Sequence, residues 1–203
     1  MNSSENILCK SWSESSDDFY DQLEGNIKEL NSSRYPIHWL DILDAVDDVK
    51  CKSFLDVGCG IGGVFGLLKS NRKNVSYTGV DYAPAAISIA KKHWNHKNFQ
   101  VMNFWDLNKE YLSQFDLIYA GALLDVLPNG DEGLDFILSL SAKKILLGRM
   151  EFTDQKSHYK EYTAYRSVKT CQFLHNKDNA IDIMTKKHGY TVNQMRWSLM
   201  LTK

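Results

Sequence analysis

A chain of 203 residues, 43% hydrophobic and 24% charged with three prolines, has the composition of an ordinary globular domain and is long enough for one substantial core. Its formal net charge of −1 offers no broad basic field for nucleic acid, and no apolar run reaches membrane-spanning length. Cys9, Cys51, Cys59 and Cys171 lack any C-x-x-C spacing, which argues against a metal site or a disulfide framework; reduced thiols and the lack of a charged-then-apolar leader point to the cytoplasm.

The first sixteen residues are polar and serine-rich, as a mobile start would be. From Asp17 to Leu30 the residues Phe19, Tyr20, Leu23, Ile27 and Leu30 recur on one helical face. Ser32-Ser33-Arg34-Tyr35 breaks that pattern. Pro36 suits the first position of a second helix, made amphipathic by Trp39, Leu40, Ile42, Leu43 and Val46. Residues 1–48 therefore read as an N-terminal segment and helical cap.

Ser53-Phe54-Leu55-Asp56-Val57 is an apolar run carrying an acid. Gly58-Cys59-Gly60-Ile61-Gly62-Gly63 follows at once, ahead of a helix from Val64. Strand, glycine turn and helix N-terminus in that order let a ligand approach the backbone and meet open N–H groups. Gly58, Gly60 and Gly63 fit the G-x-G-x-x-G spacing of a dinucleotide site. Gly58, Gly60 and Gly62, behind Asp56, also fit D-x-G-x-G-x-G. Asp56 tips the balance, because a carboxylate repels a pyrophosphate and attracts a sulfonium or ammonium.

Further along, Val75–Val80 is a strand candidate ending in Asp81, and Pro84–Lys92 opens a helix. Asp81 is placed either to accept from two ribose hydroxyls or to cap that helix. Segments 98–104, 115–124 and 144–148 are three more strands, the last being Lys144-Ile145-Leu146-Leu147-Gly148. The alternation predicts an α/β, doubly wound, mostly parallel sheet covered on both faces. After an insertion at 149–176 comes a helix from Asn179 to Lys187, closed at Gly189. Val192–Leu201 supplies terminal strand material. One domain spans 1–203.

Asp56-Val57-Gly58-Cys59-Gly60-Ile61-Gly62, Gly79-Val80-Asp81-Tyr82-Ala83-Pro84 with Ile89-Ala90-Lys91-Lys92, and the fourth segment Phe115–Leu124 together resemble the class I S-adenosylmethionine (SAM)-dependent methyltransferase superfamily. The resemblance covers about residues 53–150. It implies a seven-stranded sheet, SAM as cofactor and S-adenosyl-L-homocysteine as product. It places Asp56, Gly58, Cys59, Gly60 and Gly62 along the cofactor and Asp81 with Tyr82 at its ribose. Asn103, where the family usually has Asp, faces the adenine amino group. Phe104 meets the adenine through its N–H and ring, Ala120 lies at the end of the fourth strand, and Arg34 reaches the SAM carboxylate. The family usually ends in an antiparallel hairpin. The room left for its turn here predicts a last strand that is short or absent.

Tyr119-Ala120-Gly121-Ala122 lacks the Asn/Asp-Pro-Pro-aromatic motif of amino-methylating relatives. A small-molecule or glycan acceptor, methylated at oxygen, remains. The N-terminal helices and the insertion, with Arg149, His158, Tyr159, Tyr162, Tyr165 and Arg166, are expected to wall the acceptor pocket; the other reading of the insertion is a surface helix with its tyrosines packed on the domain. His158, His175 and Asp125, in that order, are candidate general bases. Two alternatives stay open: an NAD-type oxidoreductase, and a SAM-binding regulatory protein without turnover.

Overall fold

The computed structural model describes residues 16–32, 34–163 and 169–203. The polar start at 1–15, and Tyr165 and Arg166 of the insertion, lie outside them. Two helices come first, α1 (Ser16–Leu30) and α2 (Ile37–Asp48). Alternating elements follow: β1 (Ser53–Val57), α3 (Gly63–Ser70), β2 (Ser76–Asp81), α4 (Pro84–Trp94) and β3 (Phe99–Val101). Then come α5 (Lys109–Leu112), β4 (Leu117–Gly121), α6 (Gly130–Ser139) and β5 (Lys144–Gly148). The insertion holds β6 (Phe152–Thr153), β7 (His158–Thr163) and β8 (Lys169–Asn176), and the chain closes with α7 (Lys177–Asp182), β9 (Thr191–Gln194) and β10 (Ser198–Thr202).

Seven strands share one sheet in the order β3-β2-β1-β4-β5-β10-β9. The first five run parallel and β10 lies antiparallel between β5 and β9. The order reverses between β1 and β4, where an open α/β sheet leaves a crevice at the carboxyl ends of its strands. Burial follows strand alternation. Leu55, Val57, Ile118 and Ala120 pack with Leu134 and Ile137 of α6 on one face; Phe54, Tyr77, Leu117, Tyr119 and Leu146 pack with Trp39, Ile42 and Leu67 of α2 and α3 on the other. Phe19 and Leu23 of α1 bury themselves against Ile61, Ala83, Ala86 and Ile89, which holds this helix across the glycine turn. Each such side chain contributes about 1.5–3 kcal/mol.

Four local expectations are corrected. The last strand is neither short nor absent: all five residues of β10 pair with β5, from Ser198↔Gly148 to Thr202↔Lys144. Met195–Trp197 suffices for the turn, which Met195 N–H closes by donating to the Ser198 carbonyl at 2.9 Å. Pro36 precedes α2 as its cap rather than opening it, and its carbonyl accepts from Trp39 N–H at 2.9 Å. The helix expected from Asn179 begins at Lys177, because the Asn176 side chain accepts from Asn179 N–H, and it passes into a π turn over Ile183–Lys187. The insertion is no surface helix. Its strands form a second sheet in the order β6-β8-β7, with Cys171, Phe173 and His175 buried along one side of β8. Among the described residues no helix is long and apolar enough to cross a membrane.

Candidate functional site

The glycine turn is pinned from beneath and open above. Gly58 and Cys59 N–H groups both donate to the Val80 carbonyl, at 2.8 and 3.0 Å, and the Trp94 indole N–H donates to the Ile61 carbonyl at 2.8 Å. Gly60 has a φ of +50, and a Cβ built on it would meet nothing nearer than Gln22 Oε1 at 4.0 Å. That residue therefore faces the crevice. Gly62, with φ +80, faces protein instead: a Cβ there would stand 2.6 Å from Phe99 and 2.9 Å from Trp94. Its place in the cofactor pattern is thus filled by packing. Gly63, third glycine of the dinucleotide spacing, is likewise closed off, by Asn26 of α1.

Asp81 ends β2 beside this turn. One carboxylate oxygen accepts Gly60 N–H and the other Ala83 N–H, both at 2.9 Å. Both readings of its role therefore meet in one side chain, since it steadies the entry to α4 and the glycine turn. Each oxygen keeps a second lone pair for a ligand hydroxyl. Burial raises its pKa, and the two N–H donors oppose that rise. Tyr82, next in the chain, is an exposed ring.

Asp56 departs from its expected place. Strand alternation turns it to the same face as Phe54, where it is only 2% exposed and accepts the Tyr77 hydroxyl at 2.6 Å. Burial pushes its pKa up to about 7, against the Tyr77 hydrogen bond and helped by Asp81. It sits under the turn as a buried carboxyl rather than along the crevice. Cys59 is buried beside it, its thiol held well above the ordinary range by burial. Asn103 Oδ1 accepts Trp105 N–H at 3.0 Å and so caps a 3-10 turn at Phe104–Asp106. The Phe104 ring is buried against Phe136 and Trp105, not open to a ligand, whereas Trp105 is exposed. Ala120 is buried in β4 in register with Val57 and Leu147. Arg34 is exposed in the bend between α1 and α2, its backbone tied to the Ser32 hydroxyl.

The three base candidates gather around β8 but face different ways. His158 pairs with Leu174 and so shares its face of the hairpin, opposite to that of His175. Its Nδ1 lies 2.8 Å from the Lys156 carbonyl. His175 is 0% exposed; its Nδ1 lies 2.7 Å from Asp131 Oδ1, while Nε2 is buried without a partner. Asp131 also takes the Ser157 hydroxyl and the Asn179 amide, so this cluster ties the hairpin to α6 and α7. Asp125 follows β4. Its Oδ2 accepts from Gln172 at 3.0 Å and its Oδ1 is buried with no partner. Burial raises its pKa.

Gln22, Asn26 and His38 of the crevice were not singled out from sequence, whereas Arg149 was among the residues expected to wall the acceptor pocket. Gln22 and Asn26 overhang the glycine turn from α1. His38 of α2 stacks on Trp197, 6.5 Å between centroids, and burial with the nearby Arg149 charge lowers its pKa to about 4. Arg149, with φ +60, leaves β5 and donates its N–H to the Trp197 carbonyl at 3.2 Å. A cavity of about 350 Å³ opens there, lined among others by Arg149, Phe152, Arg196, Trp197 and Ser198.

A family model for a methyltransferase domain matches residues 55–143. The malonyl-(acyl-carrier protein) O-methyltransferase of Acetivibrio thermocellus is 29% identical over 136 residues, which cover 64% of this chain and 47% of that protein. The chain thus spans about half the length of that relative. Among solved structures, the SAM-bound magnesium protoporphyrin IX methyltransferase of Synechocystis PCC 6803 superposes with a TM-score of 0.59 at 12% identity, covering 99% of this chain and 96% of that one. A SAM-bound amino pentose methyltransferase from Micromonospora echinaspora gives 0.61 at 12% identity, covering 89% and 95%.

Proposed function

Because this chain belongs to the class I SAM-dependent methyltransferase superfamily, we propose that it transfers the methyl group of SAM to an oxygen of a small-molecule acceptor. SAM is the cofactor, which sets aside the NAD-type oxidoreductase reading. The residues fit it. Gly60 leaves open the volume that a Cβ would fill, and Asp81 stands beside it with lone pairs to spare.

The observation that carries a small acceptor is the cavity of about 350 Å³ at the carboxyl end of β5, one strand beyond β4. Its size suits a small-molecule site. The relative from Acetivibrio thermocellus, an O-methyltransferase by name, supports oxygen as the atom methylated. Transfer from a sulfonium is a displacement that asks mainly for alignment and exclusion of water. A hydroxyl acceptor gains further from a base. Asp125 is the candidate we favour, because it follows β4 and carries a buried oxygen with no partner. His175 has no exposed surface, and His158 is engaged with its own strand's turn.

The test is transfer of isotope-labelled methyl from SAM to a panel of alcohols, phenols, sugars and carboxylic acids, with calorimetry of SAM binding alongside. Labelled ether or ester supports the proposal. Labelled N-methyl product alone would refute the oxygen assignment, and SAM binding without turnover on any acceptor class would favour a regulatory SAM-binding protein.

A further inference from the structure

We propose that the Tyr119 hydroxyl is a further catalytic contact, donating a hydrogen bond to the acceptor oxygen that takes the methyl group and holding that oxygen over the ends of β4 and β5. This rests on the oxygen-acceptor reading above and adds the residue that aims the acceptor.

Two glycines make room for it. Gly121 pairs with Gly148 across the β4–β5 ladder, and strand alternation puts Tyr119 on the same face as both. A Cβ built on Gly121 would fall on the Tyr119 hydroxyl, and one built on Gly148 would stand 2.8 Å from it. The ring therefore lies along the sheet and carries its oxygen up to the carboxyl ends of both strands. Beyond the glycines each strand leaves through a non-glycine residue in the left-handed region, Ala122 with φ +51 and Arg149 with φ +60. Ala122 N–H donates to the Gly148 carbonyl at 2.9 Å, which ties the two exits together. Strained backbone of this kind clusters at active sites.

The state of the hydroxyl is the independent observation. Tyr119 is 4% exposed, and among the described residues no group takes up its hydroxyl. Unlike the Tyr111 hydroxyl, which is sealed without a partner, it keeps open surface. Tyr77, on the same face, spends its hydroxyl on Asp56 instead. Burial, with the charges of Asp56 and Asp41, holds the Tyr119 pKa well above the ordinary phenol range, against the nearby Arg149. The phenol therefore keeps its proton and serves as a donor, not as a base. Asp125, which follows the same strand, feels the same Arg149 charge. A hydrogen-bond donor and a proton acceptor thus flank the end of β4.

That end is where the two reactants must meet. β4 lies between β1, which leads into the glycine turn, and β5, where the cavity opens. An acceptor seated beyond β5 has to present its oxygen across β4. That oxygen forms the new C–O bond with a lone pair as the methyl–sulfur bond breaks, the electrons of the broken bond staying on sulfur. Its proton passes to Asp125 or to water. Tyr119 loses nothing in the step and fixes where the oxygen stands.

The test needs no knowledge of the true acceptor. Full-length protein saturated with S-adenosyl-L-homocysteine is titrated by calorimetry with 4-nitrophenol and, separately, with nitrobenzene, which lacks the oxygen. The phenol is expected to bind at least tenfold more tightly. Tyr119→Phe should cut that preference roughly fivefold, the usual worth of one hydrogen bond, with homocysteine-product affinity within twofold of the parent. It should also melt no earlier than the parent, because a hydroxyl without a partner adds nothing to the fold. Equal binding of the two probes, or no binding of the phenol, overturns the proposal. So does a preference that survives Tyr119→Phe. A melting temperature lower by several degrees in that variant would make the hydroxyl a structural tie, and a tenfold loss of product affinity would assign it to the cofactor; either outcome overturns the proposal too. Failure of the unmodified protein to bind S-adenosyl-L-homocysteine instead removes the reading on which the proposal rests.

Discussion

Asp81 accepts the backbone N–H of Gly60 at 2.9 Å, so the acid at the end of β2 and the open glycine after β1 are one unit. Removing the carboxylate should act twice. Asp81→Ala strips Gly60 and Ala83 N–H groups of their acceptor, which costs about 1 kcal/mol or more. On the proposed cofactor role of Asp81 it should also lose two hydrogen bonds to ribose hydroxyls, worth roughly 1.5–3 kcal/mol. Calorimetry should find SAM binding at least tenfold weaker in a variant that still folds but melts earlier. Unchanged affinity would reduce Asp81 to a structural tie.

Gly60 and Gly62 should part company on substitution. Both have positive φ, which costs a non-glycine residue roughly 1–2 kcal/mol. Only Gly60 looks into open space. Gly60→Ala is expected to keep the fold and lose SAM binding by more than tenfold. Gly62→Ala must instead displace Phe99 and Trp94, adding about 1–3 kcal/mol of overpacking. Thermal melts and SAM titrations on the pair check this; a Gly60→Ala protein with normal affinity would place the cofactor elsewhere.

Asp56 should make stability depend on pH. Its pKa rises from 3.8 to about 7 in the folded chain, chiefly through burial. Between those values the folded state holds a proton that the unfolded state has released. This contribution is full below pH 4, shrinks as pH rises through the interval and is gone above it. Asp56→Asn cannot titrate, and its amide oxygen still accepts from Tyr77. Urea unfolding of both proteins from pH 4 to 8 should show the variant gaining on the parent by about 1.4 kcal/mol for each pH unit up to near 7. Parallel curves would mean that Asp56 ionises normally.

The parallel strands and the glycine turn were legible because strand alternation with helices and the 58–63 glycines are local signals. Asp81 was legible for the same reason. The direction of Asp56 was not: β1 is covered on both faces, so its pattern carries no inside and outside for an acid to reveal. Gln22 and Asn26 were invisible because their contact with the turn is made by folding, across some forty residues of sequence. The insertion hid its strands behind polar residues, His158 to Thr163, which form the outer strand of a small sheet. Cys171, Phe173 and His175 did carry a period of two, but over too few residues to stand out.

The acceptor's proton separates the three base candidates. If the acceptor is a hydroxyl and Asp125 takes its proton, Asp125→Asn should cut single-turnover methyl transfer by roughly a hundredfold, the usual worth of a positioned base, while SAM affinity stays within a few-fold. Burial raises the Asp125 pKa, so the rate should fall on the acid side at a pH above the ordinary carboxylate range, and the variant should lose that limb. His158→Ala, whose Nδ1 is engaged with the Lys156 carbonyl, should turn over within a few-fold of the parent. His175→Ala should act on stability instead. It opens a void at a fully buried position and removes one of the hydrogen-bond partners of Asp131, which keeps those from Ser157 and Asn179, a loss of about 1–3 kcal/mol, and its melting temperature should drop further than its rate per folded molecule. Quench-flow rates, SAM titrations and melts on the three variants decide the matter. A near-parental rate in Asp125→Asn combined with a hundredfold loss in His158→Ala would reverse the assignment. Near-parental rates in all three would mean that alignment alone carries the transfer and that the proton leaves to water.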